Sequence, residues 1–340
     1  RAAAAAGIAF IGPSAEALDL FGDKLKAREL ALSVDAPVIQ GAVVRDADEA
    51  RAFFAIINAP IMLKAISGGG GRGMRAVRRA DEIADAFARC ASEAASAFGD
   101  GSLYAERLIE SARHIEIQIL GDRHGGLVHF GERECTIQRR NQKLIEVAPS
   151  PSLSPVLRAK IANAAMTLAK AASYDNLGTF EFLVDARDGS DAAYFAFIEA
   201  NPRLQVEHTV TEEVFDVDLV QAQIRVAAGE TIADIGLAEP RAPRGYAIQS
   251  RVNLETMNAA GEALPSGGHI AAFDIPSGPG VRVDTFGYSG YRTGAAFDSL
   301  IAKLIVHSAS PDYATAVAKA LRALAEFRIA GVDTNISFLQ

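Results

Sequence analysis

A run of four glycines between two predicted strands is the feature that most limits how this 340-residue chain can fold. The run lies in Ser67-Gly-Gly-Gly-Gly-Arg-Gly73, after the apolar segment 61–66 and before a short strand at 74–77 and an alanine-rich helix at 81–98. Because glycine lacks a Cβ, the backbone N–H groups of such a loop can approach an anion closely. The order of these segments predicts a strand–loop–strand–helix unit.

This loop does not fit the Walker A pattern, because Lys64 precedes the glycines and no helix is expected to begin at Gly73. A glycine run by itself is more often an ordinary hairpin than an anion site. Lys64 and Arg72 flank the run, however, and both cations could meet phosphate charge. On these residues alone, both interpretations stay open.

Hydrophobic periodicity predicts a mixed α/β chain. Ser14 is suited to cap a helix that runs to about Leu32, and a turn at Gly7 is expected to lead into a buried strand at Ile8–Ile11. The remaining predicted elements are helices at about 46–58, 154–173 and 311–326, strands at 103–109, 113–120 and 127–132, a hairpin at 179–185 and 194–200, and a mixed β region at about 245–308.

Composition excludes several classes of protein. With 49% hydrophobic and 22% charged residues, the chain is neither disordered nor collagen-like. Its net charge of −8 disfavours a nucleic-acid partner, because an acidic chain repels a phosphate backbone. Cys90 and Cys135 are too few for a disulfide framework, which favours a reducing compartment, and we predict a cytoplasmic location. No apolar run is long enough to span a bilayer, so no membrane partner is expected.

Two glutamates on neighbouring predicted strands are candidate metal ligands. Glu181 lies between Phe180 and Phe182 and must therefore face the opposite side of its strand from those rings. If the two strands pair as a hairpin, Glu181, Glu199 and Asn201 can converge as hard oxygen ligands for one or two Mg²⁺ ions. Isolated glutamates are more often solvated carboxylates on an exposed sheet face, so this assignment needs support from other residues.

The segment Asn201-Pro-Arg-Leu-Gln-Val-Glu-His208 follows Glu199 almost directly. It brings a guanidinium, an amide and a carboxylate into one turn, as a small planar oxyanion such as bicarbonate would need. His208 is most simply a polar loop residue. On the strand 113–118, His114, Glu116 and Gln118 share one face, which is either solvent surface or the floor of a site.

Several motifs occur in a fixed order along the chain. They are Ile11-Gly-Pro-Ser14, Gly22-Asp-Lys24, Lys64-Ala-Ile-Ser-Gly-Gly-Gly-Gly-Arg-Gly-Met-Arg75, Arg113-His-Ile-Glu-Ile-Gln118, Gln138-Arg-Arg-Asn-Gln-Lys143, Gly178-Thr-Phe-Glu-Phe182 and Glu199-Ala-Asn-Pro-Arg-Leu-Gln-Val-Glu-His208. In sequence and order they resemble the biotin carboxylase component of biotin-dependent carboxylases, members of the ATP-grasp superfamily. The resemblance covers essentially the whole chain, continuing through Gly280-Val-Arg-Val283 and 297–303, and 199–208 is its most specific stretch.

The resemblance implies an α/β (α+β) ATP-grasp fold with a glycine-loop lid subdomain and a biotin carboxylase C-terminal subdomain. It divides the chain into the remnant of an N-terminal Rossmann-like subdomain with a connecting helix (1–37), the lid (38–108), and the central and C-terminal subdomain (109–340). Most of the N-terminal subdomain and the end of the C-terminal one are expected to lie outside this chain.

The resemblance also implies roles for individual residues. Those expected at ATP are Lys24 and Lys64 at the phosphates, Gly68, Gly69, Gly70 and Gly71 closing over them, Glu106 and the backbone from Arg107 to Ile109 at the adenine, and His114, Gln138 and Asn141 nearby. Those expected at Mg²⁺ (or Mn²⁺) are Glu181, Glu199 and Asn201. Those expected at bicarbonate and biotin are Arg203, Gln205 and Val206 in the bicarbonate pocket, Glu207 as general base, Arg282 facing the ureido oxygen, and Lys143 and Arg203 as further catalytic residues.

The implied activity is carboxylation of N1′ of carrier-bound biotin, with ATP and bicarbonate as the other substrates and carboxyphosphate as intermediate. The implied partners are a biotin carboxyl carrier domain and a carboxyltransferase domain, and a homo-oligomer is expected. Two alternatives stay open: another ATP-grasp enzyme, such as a carbamoyl-phosphate synthase or carboxylate–amine ligase, and a non-catalytic domain retained for assembly. The turn at 203–207 together with Arg282 argues against the first, and the presence of every expected charged residue argues against the second.

Two positions depart from the common pattern of the family. Asn141 stands where many members have histidine, so we expect an altered nucleotide contact. The segment 253–262 is similar to that of single-chain, multidomain acyl-CoA carboxylases. We therefore expect an acyl-CoA carboxylase first and a pyruvate carboxylase next.

Overall fold

The computed structural model describes residues 1–66, 74–239, 241–258, 262–294 and 298–340. The helices are α1 (Ala2–Ala5), α2 (Ala15–Phe21), α3 (Lys24–Ser33), α4 (Ala47–Ile57), α5 (Ile83–Phe98), α6 (Pro155–Ala171), α7 (His208–Phe215), α8 (Leu219–Ala227), α9 (Tyr313–Glu326) and α10 (Ile336–Leu339). The strands are β1 (Gly41–Val44), β2 (Ile61–Ala65), β3 (Met74–Val77), β4 (Leu103–Arg107), β5 (Ala112–Gly121), β6 (Leu127–Arg139), β7 (Gln142–Ala148), β8 (Asn176–Asp185), β9 (Phe195–Asn201), β10 (Tyr246–Asn253), β11 (Glu255–Met257), β12 (Ala263–Pro265), β13 (Ala272–Asp274), β14 (Val281–Thr285), β15 (Leu300–Ser308) and β16 (Arg328–Ala330).

The large sheet has eight antiparallel strands in the order β14-β15-β10-β7-β6-β5-β8-β9. Side chains alternate across β5 and β8, so Ile115, Ile117 and Phe180 are buried together with α2, α3 and α6 in one hydrophobic cluster. The same alternation places Glu116 and Glu181, which are directly paired, on the opposite face. That face carries the polar residues of the candidate site.

Helices α7 and α8 cover part of this second face. Val210, Val214 and Phe215 of α7 are buried against Phe130 of β6 and neighbouring apolar side chains. α7 begins at residue 208, immediately after the turn that carries the predicted bicarbonate residues. Packing of this helix therefore holds that turn over the sheet.

A smaller α/β unit, residues 41–107, is built on the sheet β1-β4-β2-β3, which is antiparallel throughout. Its core brings together Ile61, Leu63 and Leu103 of the strands with Ile83 and Cys90 of α5. The predicted order of strand, strand and helix around the glycine run is confirmed. The run itself, including Gly68, Gly69, Gly70 and Gly71, lies outside the described residues.

Two predictions near the N-terminus are wrong. The helix expected from 14 to 32 is two helices, because α2 ends at Phe21 and the carboxylate of Asp23 accepts from Leu25 N and Lys26 N to cap α3. The strand expected at Ile8–Ile11 does not form, and Ile8 is 63% exposed. No strand in the described parts of the chain pairs with this segment, so its apolar pattern alone could not produce a strand.

The helices of the described ranges are all too short or too polar to cross a membrane.

Candidate active site

The β8–β9 hairpin brings the predicted metal ligands together. Its register sets Glu181 directly opposite Glu199, as the hairpin prediction requires. Asn201 Nδ2 donates to Glu181 Oε1 at 2.8 Å and to Glu199 Oε1 at 3.2 Å. Their oxygens are hard donors of the type that Mg²⁺ prefers, so the three side chains fit such an ion chemically.

Glu181 is held in its ionised form. Its burial opposes ionisation, but the hydrogen bond from His114 and the charge of Lys143 outweigh that cost and lower the pKa of Glu181 to about 2. His114 Nε2 lies 2.7 Å from Glu181 Oε2, and Gln138 Nε2 lies 2.9 Å from His114 Nδ1. Because an amide nitrogen only donates, Nδ1 must accept and Nε2 must carry the proton shared with Glu181.

A second possible metal grouping, His114, Glu116 and Glu181, has its ligand atoms within 4.8 Å of one another. Glu116 is already engaged by two cations, since Arg133 Nε and Lys143 Nζ each lie 2.5 Å from one of its oxygens. The set with Glu199 and Asn201 is therefore the better fit to a metal ion.

Lys143 lies between the acids of the sheet and the base candidate. Its Nζ contacts Glu116 Oε2 at 2.5 Å, Glu181 Oε1 at 3.5 Å and Glu207 Oε1. Burial lowers the pKa of this ammonium, but Glu116 and Glu207 more than compensate and raise it above its ordinary value. Lys143 is thus a fixed positive charge.

Arg133 is a second buried cation beside Glu116. Its guanidinium is fully buried and donates to Glu116, Gln118 Oε1 at 2.7 Å, Thr211 Oγ1 at 3.0 Å and Thr179 Oγ1 at 3.1 Å. Because its partners lie on β5, β8 and α7, one side chain ties these elements together.

The turn 203–207 presents the predicted bicarbonate residues. Gln205 Nε2 donates to Glu181 Oε1 at 2.9 Å, whereas its buried Oε1 has no hydrogen-bond partner within the described ranges. Buried polar atoms normally have partners, so this acceptor suits a ligand that carries an O–H. Arg203 is exposed, and its guanidinium donates to the Leu204 carbonyl at 3.2 Å and to Asn201 Oδ1 at 3.3 Å, beside the metal candidates.

Arg282 on β14 is surrounded by carboxylates. It pairs with Asp284 at 2.8 and 3.0 Å, with Glu212 at 2.9 Å and with Glu213 at 3.5 Å. Burial lowers its pKa, yet these acids raise the pKa above the ordinary value for arginine. With His208 and these glutamates, Arg282 lines a cavity of about 420 Å³.

The nucleotide candidates lie on the small unit and at its junction with the large sheet. Lys64 Nζ is 2.5 Å from Glu106 Oε2, and Lys24 Nζ is 3.9 Å from Glu199 Oε2. Arg107 ends β4, and Ile109 beyond it is buried. The Lys24 contact connects the predicted phosphate and metal residues.

Asn141 lies in the two-residue loop of the β6–β7 hairpin, where Arg140 and Asn141 have φ values of 50° and 66°. A turn with positive φ at both positions favours asparagine. Backbone geometry thus accounts for this residue without any nucleotide contact.

Sequence reasoning missed four residues that hold the site: Arg133, Glu146, Arg251 and Lys303. Arg251 Nε lies 2.5 Å from Glu146 Oε1, Arg251 Nη2 lies 3.0 Å from Glu207 Oε2, and Lys303 Nζ lies 3.1 Å from the Val206 carbonyl. The one available signal was the placement of Gln249 and Arg251 on one face of a strand whose flanking residues, Ile248 and Val252, are apolar.

Two family models match the chain. Residues 23–235 match "Carbamoyl-phosphate synthase L chain, ATP binding domain", which alone leaves the carbamoyl-phosphate synthase alternative open. Residues 249–340 match "Biotin carboxylase C-terminal domain". This second match favours a biotin carboxylase over a carbamoyl-phosphate synthase. The chain belongs to the biotin carboxylase family. This family consists of ATP-dependent ligases that use Mg²⁺, bicarbonate and biotin.

Individual relatives agree with this assignment to the biotin carboxylases. Human "Pyruvate carboxylase, mitochondrial" is 47% identical over 339 residues, which are 98% of this chain and 28% of that protein. A biotin carboxylase structure from Campylobacter jejuni is 40% identical with a TM-score of 0.90, covering 99% of this chain and 73% of that one. The biotin carboxylase domain of a single-chain bacterial carboxylase is 46% identical with a TM-score of 0.85, covering 100% of this chain and 71% of that one.

This chain spans only 28% of the human relative. The expected ATP-grasp fold is confirmed. The preference for an acyl-CoA carboxylase is not supported, because curated relatives that match nearly the whole chain at 46–47% identity are named as pyruvate carboxylases.

Proposed function

We propose that this domain carboxylates N1′ of carrier-bound biotin, using ATP and bicarbonate. The observation that carries the proposal is the position of Glu207, a buried carboxylate in the same turn as the bicarbonate candidates and in contact with two cations, Lys143 and Arg251. A base held this close to its substrate site can take the proton of bicarbonate without a large rearrangement.

ATP is proposed to bind between the small unit and the large sheet. Lys24 and Lys64 are assigned to the phosphates, with Gly68–Gly71 closing over them. Glu106, with the backbone from Arg107 to Ile109, is assigned to the adenine. His114 and Gln138 form a connected pair that reaches Glu181, so a nucleotide beside them would contact the metal ligands as well.

Glu181, Glu199 and Asn201 are proposed to hold Mg²⁺. When bound there, the ion supplies positive charge to the phosphate oxygens during transfer. Lys24 lies within ion-pair distance of Glu199, so the same phosphates can receive a second positive charge from the protein.

Glu207 takes the proton of bicarbonate, and a bicarbonate oxygen then attacks the γ-phosphorus of ATP. The bond between the γ-phosphorus and the β,γ-bridging oxygen breaks, and ADP is released. Arg203 and Gln205 hold the anion in place. The resulting carboxyphosphate breaks down to CO₂ and phosphate, the phosphate accepts the N1′ proton of biotin, and N1′ attacks CO₂. Carboxyphosphate is sensitive to water, so a closing loop protects it.

Arg282 is proposed to face the ureido oxygen of biotin and to stabilise the negative charge that develops there. Its cavity is large enough to admit a small bicyclic group. The carboxylates of Glu212 and Asp284 fix the guanidinium in position before biotin arrives.

The experiment is ATP cleavage by the whole protein that contains this domain, with bicarbonate present or omitted and free biotin added or withheld. The proposal predicts cleavage that requires bicarbonate and increases with biotin. Cleavage that is indifferent to both would return weight to another ATP-grasp ligase, and a folded protein without cleavage would favour the assembly domain.

For the carboxyl acceptor we propose pyruvate first and an acyl-CoA second, in view of the 47% identity to human pyruvate carboxylase. The carrier and transferase domains are proposed partners, on the same polypeptide or on separate subunits, and self-association is proposed as well. Incorporation of labelled bicarbonate into pyruvate or into acetyl-CoA separates the two acceptors. The cytoplasmic location stays a prediction, since the human relative is described as mitochondrial.

A further inference from the structure

Three successive residues of the turn are fixed by four strands of the large sheet. Gln205 is held by Glu181 of β8, and the carbonyl of Val206 by Lys303 of β15. Glu207 is held by Lys143 of β7 and by Arg251 of β10. Of these contacts, the one from Arg251 belongs to a further buried network.

Arg251 connects two carboxylates through different nitrogens. Its Nε lies 2.5 Å from Glu146 Oε1, and its Nη2 lies 3.0 Å from Glu207 Oε2. The side chains of Glu146 and Glu207 are 0% and 4% exposed, so both bonds are shielded from water. A planar guanidinium holds both of its partners in a defined direction, which an ammonium on a flexible chain cannot do.

The network closes on itself. Gln249 Nε2 donates to Glu146 Oε2 at 3.0 Å, and Thr209 Oγ1 donates to Gln249 Oε1. Thr209 is two residues after Glu207 in the first turn of α7. The path therefore leads from Glu207 through Arg251, which is 18% exposed, and through two fully buried side chains back to the same stretch of backbone. We call Arg251, Glu146, Gln249 and Thr209 the base clamp.

We propose that Arg251 is a positioning residue for Glu207, and that the base clamp fixes the direction in which this carboxylate meets the bicarbonate proton. The inference rests on the proposed function of Glu207 as base. Lys143 occupies the other oxygen of Glu207, so without Arg251 the carboxylate would be free to rotate about its single remaining cation. A displacement of about 1 Å at a reacting group can cost roughly 100-fold in rate.

The charged and titratable groups around Glu207 come from several strands. They are Glu116 of β5, Lys143 and Glu146 of β7, Arg251 of β10, and Arg133 and Cys135 of β6. Arg251 Nη2 places a positive charge 3.0 Å from Glu207 Oε2, and an opposite charge at this distance favours the charged form of an acid. We therefore expect the low-pH side of the activity profile to move to higher pH in a variant without this charge.

A matched ion pair on the other side of β6 provides the control. Arg158 of α6 donates to Glu132 at 2.7 Å, and the Glu132 side chain is 1% exposed. This pair also joins an arginine to a buried carboxylate, but it lies away from Glu207. Arg158→Met measures what such a loss does to folding alone.

The test compares Arg251→Met, Arg251→Lys and Arg158→Met in the whole protein, by the kcat and KM of bicarbonate-dependent ATP cleavage, its pH profile and a urea unfolding curve. For Arg251→Met we expect kcat to fall about 100-fold with the KM for ATP unchanged and with the acid limb at higher pH. Arg251→Lys should recover at least part of kcat, and the low-pH side of its activity profile should move back toward that of the wild type. Arg158→Met should lower the unfolding midpoint without moving the profile.

An Arg251→Met protein with the wild-type kcat and pH profile would overturn the positioning role. So would a loss of activity that only follows the unfolded fraction, as in Arg158→Met. A wild-type protein without bicarbonate-dependent cleavage would instead overturn the proposed function, and the positioning role with it.

Discussion

The small unit and the large sheet differ in how far the side chains of their ion pairs are exposed to solvent. On the small unit, pairs such as Arg89–Asp85 and Arg79–Asp81 have both side chains more than 60% exposed. In the large sheet, the side chains of Arg133 and Glu116 are completely buried. Lys64–Glu106 is the intermediate case, with side chains 27% and 15% exposed.

This difference reflects what each region has to do. Exposed pairs contribute little and can exchange partners at small cost, which suits a unit proposed to close over a nucleotide. Buried pairs are costly to break, because the remaining charge has no water to solvate it. Charges fixed in this way need no rearrangement when a reaction develops charge beside them.

Glu207→Gln should have the largest effect, because it removes the proposed base from the buried network while keeping its shape. Bicarbonate-dependent ATP cleavage is expected to fall by about 10²–10⁴-fold, measured as kcat at saturating substrates. Glu93→Gln, on the surface of α5, is the control and should retain full activity. Equal activity of the two variants would remove Glu207 from the mechanism.

Arg133→Met should have the second largest effect. The change leaves Lys143 as the one remaining cation beside Glu116, and it leaves the oxygens of Gln118 and Thr211 without the hydrogen bonds that Arg133 donates. The free energy of unfolding is expected to fall by about 3–5 kcal/mol, read from urea denaturation. A loss below about 1 kcal/mol would show that the large sheet does not depend on its buried charges.

Glu146→Gln tests the same region through pH. Burial raises the pKa of Glu146 to about 7, despite the opposing charge of Arg251. Its pKa is higher when folded than when unfolded, so it contributes stability below about pH 4.5 that is lost as the pH rises through about 7. The wild-type unfolding free energy should therefore decline over this window by at most about 3 kcal/mol.

In Glu146→Gln that decline should be absent, because the amide does not titrate. Unfolding curves of both proteins at several pH values give the comparison. Parallel pH dependence in the two proteins would rule out Glu146 as its source.

Arg89→Ala on the small unit should have the smallest effect. Its partner Asp85 and the arginine are both exposed, so the free energy of unfolding should change by less than about 1 kcal/mol in urea titrations. A larger loss would show that exposed ion pairs of the small unit contribute as much to stability as the buried pairs of the large sheet.

The sequence was sufficient where local pattern determines structure. The alternation around Phe180 and Phe182 predicted which face Glu181 takes, and the spacing to Glu199 predicted the hairpin. The sequence was insufficient where a helix cap or a residue distant in sequence determines where an element ends or whether it forms. Asp23 divides a helix that periodicity alone would continue, and Ile8–Ile11 has no strand beside it within the described part of the chain.

The base clamp could not be read from sequence for a related reason. Glu146, Arg251 and Thr209 are separated by 42 or more positions and meet only when β7, β10 and α7 pack. Asn141 has a backbone reason for its identity in its hairpin turn, and its expected contact with the nucleotide stays a prediction. Motif order thus predicted the family and most candidate residues, but not the charges that hold them.

The most direct test of the central claim follows one oxygen atom. If bicarbonate labelled with ¹⁸O attacks the γ-phosphorus, one labelled oxygen must appear in the inorganic phosphate released by the whole protein. The proposed mechanism predicts that this label transfer occurs in proportion to the ATP cleaved, and that Glu207→Gln loses both the transfer and the cleavage. Phosphate that is formed in the presence of labelled bicarbonate but carries no label from it would contradict the account.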